Sequence, residues 1–259
     1  MINIIAIGDI SFCGDLSYNP SREIFSTVED IFRETDLVVG NLENPLLHGG
    51  HPVPGKCILK GDREWAKVLK EAGINFVGLA NNHMMDYGPD GLLDTMHCLD
   101  SAGIRHVGAG KNREEAQAPL IVSIGNWKIA FLARSSVIVT SPSYAGSSTP
   151  GVAFLDIDEL IDNVRRCSGA ADLVIVLLHW GLEEYSYPAP AQKILARKLV
   201  DAGADAIIGH HPHVTQGLQR LDRAVVAYSL GNFLFDEFAW RPRSEERRVG
   251  KECRLLCRS

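Results

Sequence analysis

Six apolar runs in this chain each stop at a residue that can bind a metal, move a proton or handle a phosphate. Asn3 to Gly8 leads to Asp9, Leu37 to Leu42 leads to Glu43, and Phe76 to Ala80 leads to Asn81, Asn82 and His83. Leu173 to Leu178 leads to His179, Ala206 to Gly209 leads to His210, His211, Pro212 and His213, and Ala224 to Gly231 leads to Asn232. Taken singly the signals are ordinary. A Gly-Asp pair after a strand reads first as a turn, and one histidine near a core strand reads first as a structural residue. His211 and His213 say more, because two imidazoles around a rigid proline can face one ion or two neighbouring ones. The shared position raises the set above its members: in open α/β sheets ligands bind beyond the carboxyl ends of the strands, so residues far apart in sequence converge on one crevice.

The residue types narrow the chemistry. Imidazole, carboxylate and carboxamide without paired cysteines suit Mn, Fe, Zn or Co better than a structural zinc, which favours thiolates. Two such ions about 3.5–4 Å apart activate a water and steady the charge that develops on a phosphoryl oxygen. The expected activity is therefore metal-dependent hydrolysis of a small molecule or anionic polymer.

The strands that end at these residues alternate with helical periodicity over Ser21 to Glu34, Asp62 to Ala72, Pro89 to Ala102, Asp158 to Cys167 and Ala189 to Ala202. That alternation predicts an α/β fold. Gly88-Pro89 offers a helix start, and the Ala-Gly pairs at 72–73, 102–103 and 202–203 offer stops. Ser135 to Gly151 is rich in Ser, Pro, Gly and Thr and reads as a long loop over the site. Residues 1–240 are expected to form one domain, truncated at its end if the dense charge of 241–259 marks a non-native tail.

With 259 residues, 46% hydrophobic and 22% charged, the chain can bury one large core. A net charge of −6 leaves no broad basic face, which argues against nucleic acid as a partner. The start lacks the basic and small-residue features of a signal peptide, and no apolar run is long enough to span a bilayer. The six cysteines are scattered, which predicts reduced thiols and a cytoplasmic chain. Gly50 to Cys57 has the spacing of a phosphate-binding loop, but Cys57 replaces the magnesium-binding hydroxyl and two prolines remove backbone donors. Nucleotide binding there is discounted, while Lys56 and Lys60 are left as loop cations able to reach an anionic substrate.

One ordered combination carries a resemblance: Gly8-Asp9, Asn41-Leu42-Glu43, Asn81-Asn82-His83 with Asp86-Tyr87-Gly88, His179-Trp180-Gly181, His210-His211-Pro212-His213 and Ser229-Leu230-Gly231-Asn232. It resembles the CapA, or poly-gamma-glutamate capsule biosynthesis, family, which is related to the calcineurin-like metallophosphoesterases. The resemblance implies a four-layer αββα sandwich with one or two metal ions. Asp9 then binds the first ion, Glu43 stands where the superfamily has a bridging Asp, Asn82, His179 and His211 complete the second site, and His213 returns to the first. His83 is the implied general acid, oriented by Asp86, with His210 and Asn232 beside the ligands or the substrate. The chain departs from the wider pattern where Ser11 stands in place of a histidine two residues after Asp9, a gap for Asp15 or water to fill. Two other roles fit the resemblance: non-catalytic handling of polyglutamate in a synthesis or export assembly, and hydrolysis of an amide in the polymer.

Overall fold

The computed structural model describes residues 2–137 and 143–235. The tail from 241 and part of the Ser135 to Gly151 loop lie outside them. In chain order the strands are β1 (Ile4–Ile10), β2 (Leu37–Leu42), β3 (Phe76–Gly78), β4 (Arg105–Val107), β5 (Ala109–Gly110), β6 (Leu120–Ile124) and β7 (Trp127–Ser135). They continue as β8 (Gly151–Val152), β9 (Leu173–His179), β10 (Ala206–His210), β11 (Leu218–Leu221), β12 (Ala224–Ala227) and β13 (Asn232–Leu234). The helices are α1 (Glu29–Arg33), α2 (Trp65–Glu71), α3 (Gly88–Ala102), α4 (Arg113–Gln117), α5 (Ile157–Ser168) and α6 (Pro190–Ala202).

Two sheets form the centre. The first, in the order β13-β1-β2-β3-β4, is parallel throughout. The second, β11-β12-β10-β9-β7-β6, has four parallel inner strands and an antiparallel strand at each edge. Side-chain alternation shows why they stack. Val38 points outward into a core with Trp65 and Leu69 of α2 and Leu92 and Leu99 of α3, while Leu37 and Val39 point inward. On the second sheet Val174, Val176 and Leu178 meet Leu160 and Val164 of α5 and Leu195 and Leu199 of α6, and Ile175 and Leu177 point inward. Strands apolar on both faces must be covered on both, so the chain forms helix, sheet, sheet and helix layers, the sandwich implied by the resemblance. Across the middle layer the rings of Phe76 and Phe131 lie 4.1 Å apart. Burial of side chains of this size contributes roughly 1.5–3 kcal/mol each, so this apolar layer is what holds the sheets face to face.

The expected helices at 62–72, 89–102, 158–167 and 189–202 match α2, α3, α5 and α6 closely. The Ala-Gly stops act as expected: Gly103 and Gly203 close α3 and α6 with φ of 70° and 112°, a region that favours glycine. The expected helix over Ser21 to Glu34 does not form as one piece. A 3-10 turn over Arg22–Phe25 is followed by the short α1, with Ser26, Thr27 and Val28 between them. Hydroxyls that compete for the backbone and β-branching disfavour a helix there. Phe25 and Phe32 instead both pack on Phe233. The five-residue α4, capped by the Asn112 side chain accepting from Glu115 N at 2.9 Å, is too short for periodicity to show.

The run from Ala224 to Gly231 is also divided. Its first part is β12, paired with β10 in the second sheet. The chain then crosses through residues 228–231, so that Asn232 opens β13 beside Asp9 in the first sheet instead of following a strand. The crossing passes close to both sheets: Asp9 N donates to Gly231 O at 2.9 Å, and Leu230 N donates to Gly209 O at 3.1 Å. A Cβ at Gly8 would overlap the Gly231 carbonyl, and one at Gly209 would overlap that of Tyr228. The glycines just before Asp9 and His210 are the clearance that the crossing needs.

Candidate metal centre

All six expected ligands come together where the carboxyl ends of β1, β2, β3, β9 and β10 meet. Glu43, which follows β2, lies at the middle and is fully buried. Its Oε1 is 3.5 Å from His179 Nε2 and 3.8 Å from His213 Nε2, yet neither of its oxygens accepts a hydrogen bond. Two groups of candidate ligand atoms share it. Asp9, Glu43 and His213 form one, and Glu43, His179 and His211 form the other, with the atoms of each within 4.8 Å of one another. Asn82 adjoins the second group, its Oδ1 2.8 Å from His179 Nε2.

The surroundings fix these atoms. Asn41 Nδ2 donates to Asp9 Oδ1 at 2.8 Å, and His210 Nδ1 lies 3.1 Å from the same oxygen. The backbone N–H of His211 donates to Asp9 Oδ2 at 3.1 Å. His213 Nδ1 is 2.8 Å from Asn232 Oδ1, which leaves Nε2 turned toward Glu43. His211 and His213 have φ of 96° and 58°, which is unusual for residues with a Cβ and costs on the order of 1–3 kcal/mol each. Such strain persists where neighbours determine the conformation, here the turn that aims two imidazoles back over the strand ends.

The electrostatics match a cation site. Burial pushes the Asp9 carboxyl up, but the hydrogen bond and charge of His210, with His213 and Asn41, outweigh it and hold Asp9 below its ordinary value. Burial, followed by the charges of Asp9 and Glu183, pushes Glu43 well above the usual carboxylate range. Burial and the neighbouring imidazoles hold His179 well below its usual range, and His211 is pushed down to about 4 by burial and then His213. At neutral pH both rings are in the unprotonated form that ligates. A buried carboxylate with no hydrogen bond is costly by itself, and a divalent cation beside it reverses that cost. The residues therefore fit a metal.

His83 is buried, its Nδ1 2.8 Å from Asp86 Oδ2. Asn81 supports it from behind: Asn81 Oδ1 accepts from His83 N at 3.1 Å and from Met84 N at 2.9 Å, while its Nδ2 donates to Leu42 O at 2.7 Å. Lys56 does not reach outward as a substrate cation. Its side chain is 1% exposed, pairs with Asp86 Oδ1 and donates to Asn82 O at 2.5 Å. Asp15 is exposed on a 3-10 turn over Gly14–Tyr18 and belongs to none of these ligand groups. Ser11 is buried, and its hydroxyl makes no hydrogen bond. Glu183, in the loop after β9, escaped the sequence reading because it ends no apolar run, yet its carboxylate joins His211 and His213 in a third group within 4.8 Å.

The model of the bacterial capsule synthesis protein family PGA_cap matches residues 3–237. The chain belongs to this family. Its PGA_cap relatives include the capsule biosynthesis protein CapA of Bacillus anthracis, 36% identical over 222 residues that make up 83% of this chain and 54% of the relative. The PGA biosynthesis protein CapA of Bacillus subtilis is 37% identical over 218 residues, 83% of this chain and 57% of that protein. The chain thus spans little more than half the length of either. Among solved structures, one described as a novel phosphatase from Mycoplasma pneumoniae aligns with a TM-score of 0.58 at 17% identity, covering 89% of this chain and 72% of that one. That likeness shows that this PGA_cap chain shares the layered α/β fold of that structure. No helix among the described residues is long and apolar enough to cross a membrane.

Proposed function

We propose that the chain is a metal-dependent hydrolase that cleaves a phosphate ester or a comparable anionic bond in the service of capsule or poly-gamma-glutamate synthesis. The observation that carries this is Glu43, a carboxylate fully buried without a hydrogen bond and common to two groups of ligand atoms. Asp9, Glu43 and His213 would hold one divalent ion, and Glu43, Asn82, His179 and His211 would hold a second. When bound, such ions polarise a phosphoryl oxygen and provide a nucleophile at neutral pH. Asn41, His210 and the His211 amide hold Asp9 in place, and Asn232 orients His213. His83 delivers a proton from Nε2 to the leaving group, while Asp86 holds its Nδ1 and stabilises the charged ring before the proton leaves. The setting in capsule synthesis rests on the likeness to the capsule and PGA biosynthesis proteins of Bacillus anthracis and Bacillus subtilis.

The test has two parts. Protein purified without chelator is analysed for transition metals, and the same preparation is assayed on a nitrophenyl phosphodiester with and without added Mn2+. One or two ions per chain and turnover that a chelator abolishes support the reading. Stoichiometric metal without turnover points to handling of the polymer, and release of short products from polyglutamate points to amide hydrolysis.

A further inference from the structure

We infer that Glu183 is a ligand of this metal centre, supplying from a loop the donor that Ser11 does not. The inference rests on the metal-centre reading above and extends it to a residue outside the strand-end set. In the first ligand group Asp9, Glu43 and His213 give three side chains, and Ser11, two residues after Asp9, offers only a hydroxyl, a poor ligand for a divalent ion beside carboxylate and imidazole. Glu183 shares His213 with that group and His211 with the other, with all three ligand atoms within 4.8 Å of one another.

The placement is built into the loop. Glu184 N donates to Pro212 O at 2.9 Å, between the two histidines, and Gln216 Nε2 donates to Tyr185 O at 2.8 Å. The loop is thereby pinned, at the two residues that follow Glu183, to the segment carrying His211 and His213. The following residue, Glu184, adopts φ of 60°, a turn that lets the chain double back at this point. Without a cation the arrangement gathers Asp9, Glu43 and Glu183 around one crevice, which is repulsive. With one, the Glu183 carboxylate would add a donor beside His211 and His213, and it is only partly buried, unlike the fully buried Glu43.

The full chain, stripped of metal, is titrated with Mn2+ alone by calorimetry, and thermal unfolding is followed before and after loading. The wild type is expected to take up Mn2+, and Glu183→Gln to weaken at least one binding step by about 10-fold or more, the lower end of what removing even an outer partner of a ligand costs. Without metal, Glu183→Gln should unfold at the wild-type temperature or above it, because a carboxylate crowding an acidic crevice is gone. Glu183→Asp, which keeps the charge on a shorter arm, should also bind Mn2+ more weakly. If Glu183→Gln binds Mn2+ as tightly as the wild type, the role of Glu183 is overturned and the metal centre stands. If weakened binding comes with earlier unfolding of the stripped variant, Glu183 merely holds the loop and the inference fails. A wild type that takes up no Mn2+ overturns both this inference and the metal-centre reading.

Discussion

Glu43 separates binding from stability more sharply than any other residue in the crevice. Unfolded, its carboxyl titrates near the ordinary 4.5; folded and free of metal, it is held well above that by burial and by Asp9 and Glu183. Between those two pH values the folded chain keeps a proton that the unfolded chain has lost, so stability falls as pH rises through the window. Glu43→Gln has no such proton to keep. In metal-free protein its melting temperature should therefore overtake that of the wild type, by a margin that grows as pH rises above 4.5. The same variant should lose metal on purification, whereas Asp15→Asn, altered at an exposed turn, should retain it; equal metal content in the two would remove Glu43 from its shared position. His83 is tested differently. His83→Ala should keep its metal but lose about 10²- to 10⁴-fold in rate on an alkyl phosphate ester. The loss should be smaller on a nitrophenyl ester, whose leaving group needs little protonation. A stripped metal would make His83 a ligand, and unchanged rates on both esters would end its role as an acid.

At the level of elements, the loop from Gly50 to Leu59 wraps the turn that carries Asn82, His83 and Asp86. Val53 N donates to Asp86 O at 2.8 Å, Leu59 N donates to Asp86 Oδ2 at 2.6 Å, and Lys56 reaches in to the same carboxylate. Lys56→Met leaves that carboxylate buried beside one cation fewer, and breaking such a pair from one side costs about 3–5 kcal/mol. Arg197→Met, which removes exposed pairs with Asp201 and Asp222, should cost less than about 1 kcal/mol. Urea unfolding of the two variants measures the contrast, and similar midpoints would show that Lys56 holds nothing of importance. The sequence hid this loop because its pairing joins residues 30 positions apart and leaves no local period. Where a local rule operates the sequence was informative: period and caps located α2, α3, α5 and α6, and strand ends pointed to Asp9, Glu43, Asn82, His179, His211 and His213, which the fold brings to one crevice. Local rules could not see that Ala224 to Gly231 serves two sheets, because β-propensity is the same in either. Nor could they find Glu183, whose place depends on the bond from the Glu184 N–H to Pro212 O.

In the molecule as a whole the two sheets are locked together at the site by residues 228–231. Gly8→Ala would drive a methyl group into the Gly231 carbonyl and push the crossing off β1. Such overpacking costs about 1–3 kcal/mol, and here it should also weaken Mn2+ uptake, because Asp9 on one sheet and His211 and His213 from the other would separate. Gly217→Ala, where an added Cβ meets nothing within 4 Å, is the control and should change neither unfolding nor uptake. The crossing also imposes an order in time. Asp9, Glu43 and Asn82 are synthesised before their histidine partners, which follow from 179 onward, and β13 then returns to lie beside β1. A nascent chain still on the ribosome holds acidic and amide donors without their imidazoles. If the centre holds metal as proposed, capture by the full donor set would wait until His213 has emerged, and the seam that fixes the donors closes only when Asn232 to Leu234 have followed.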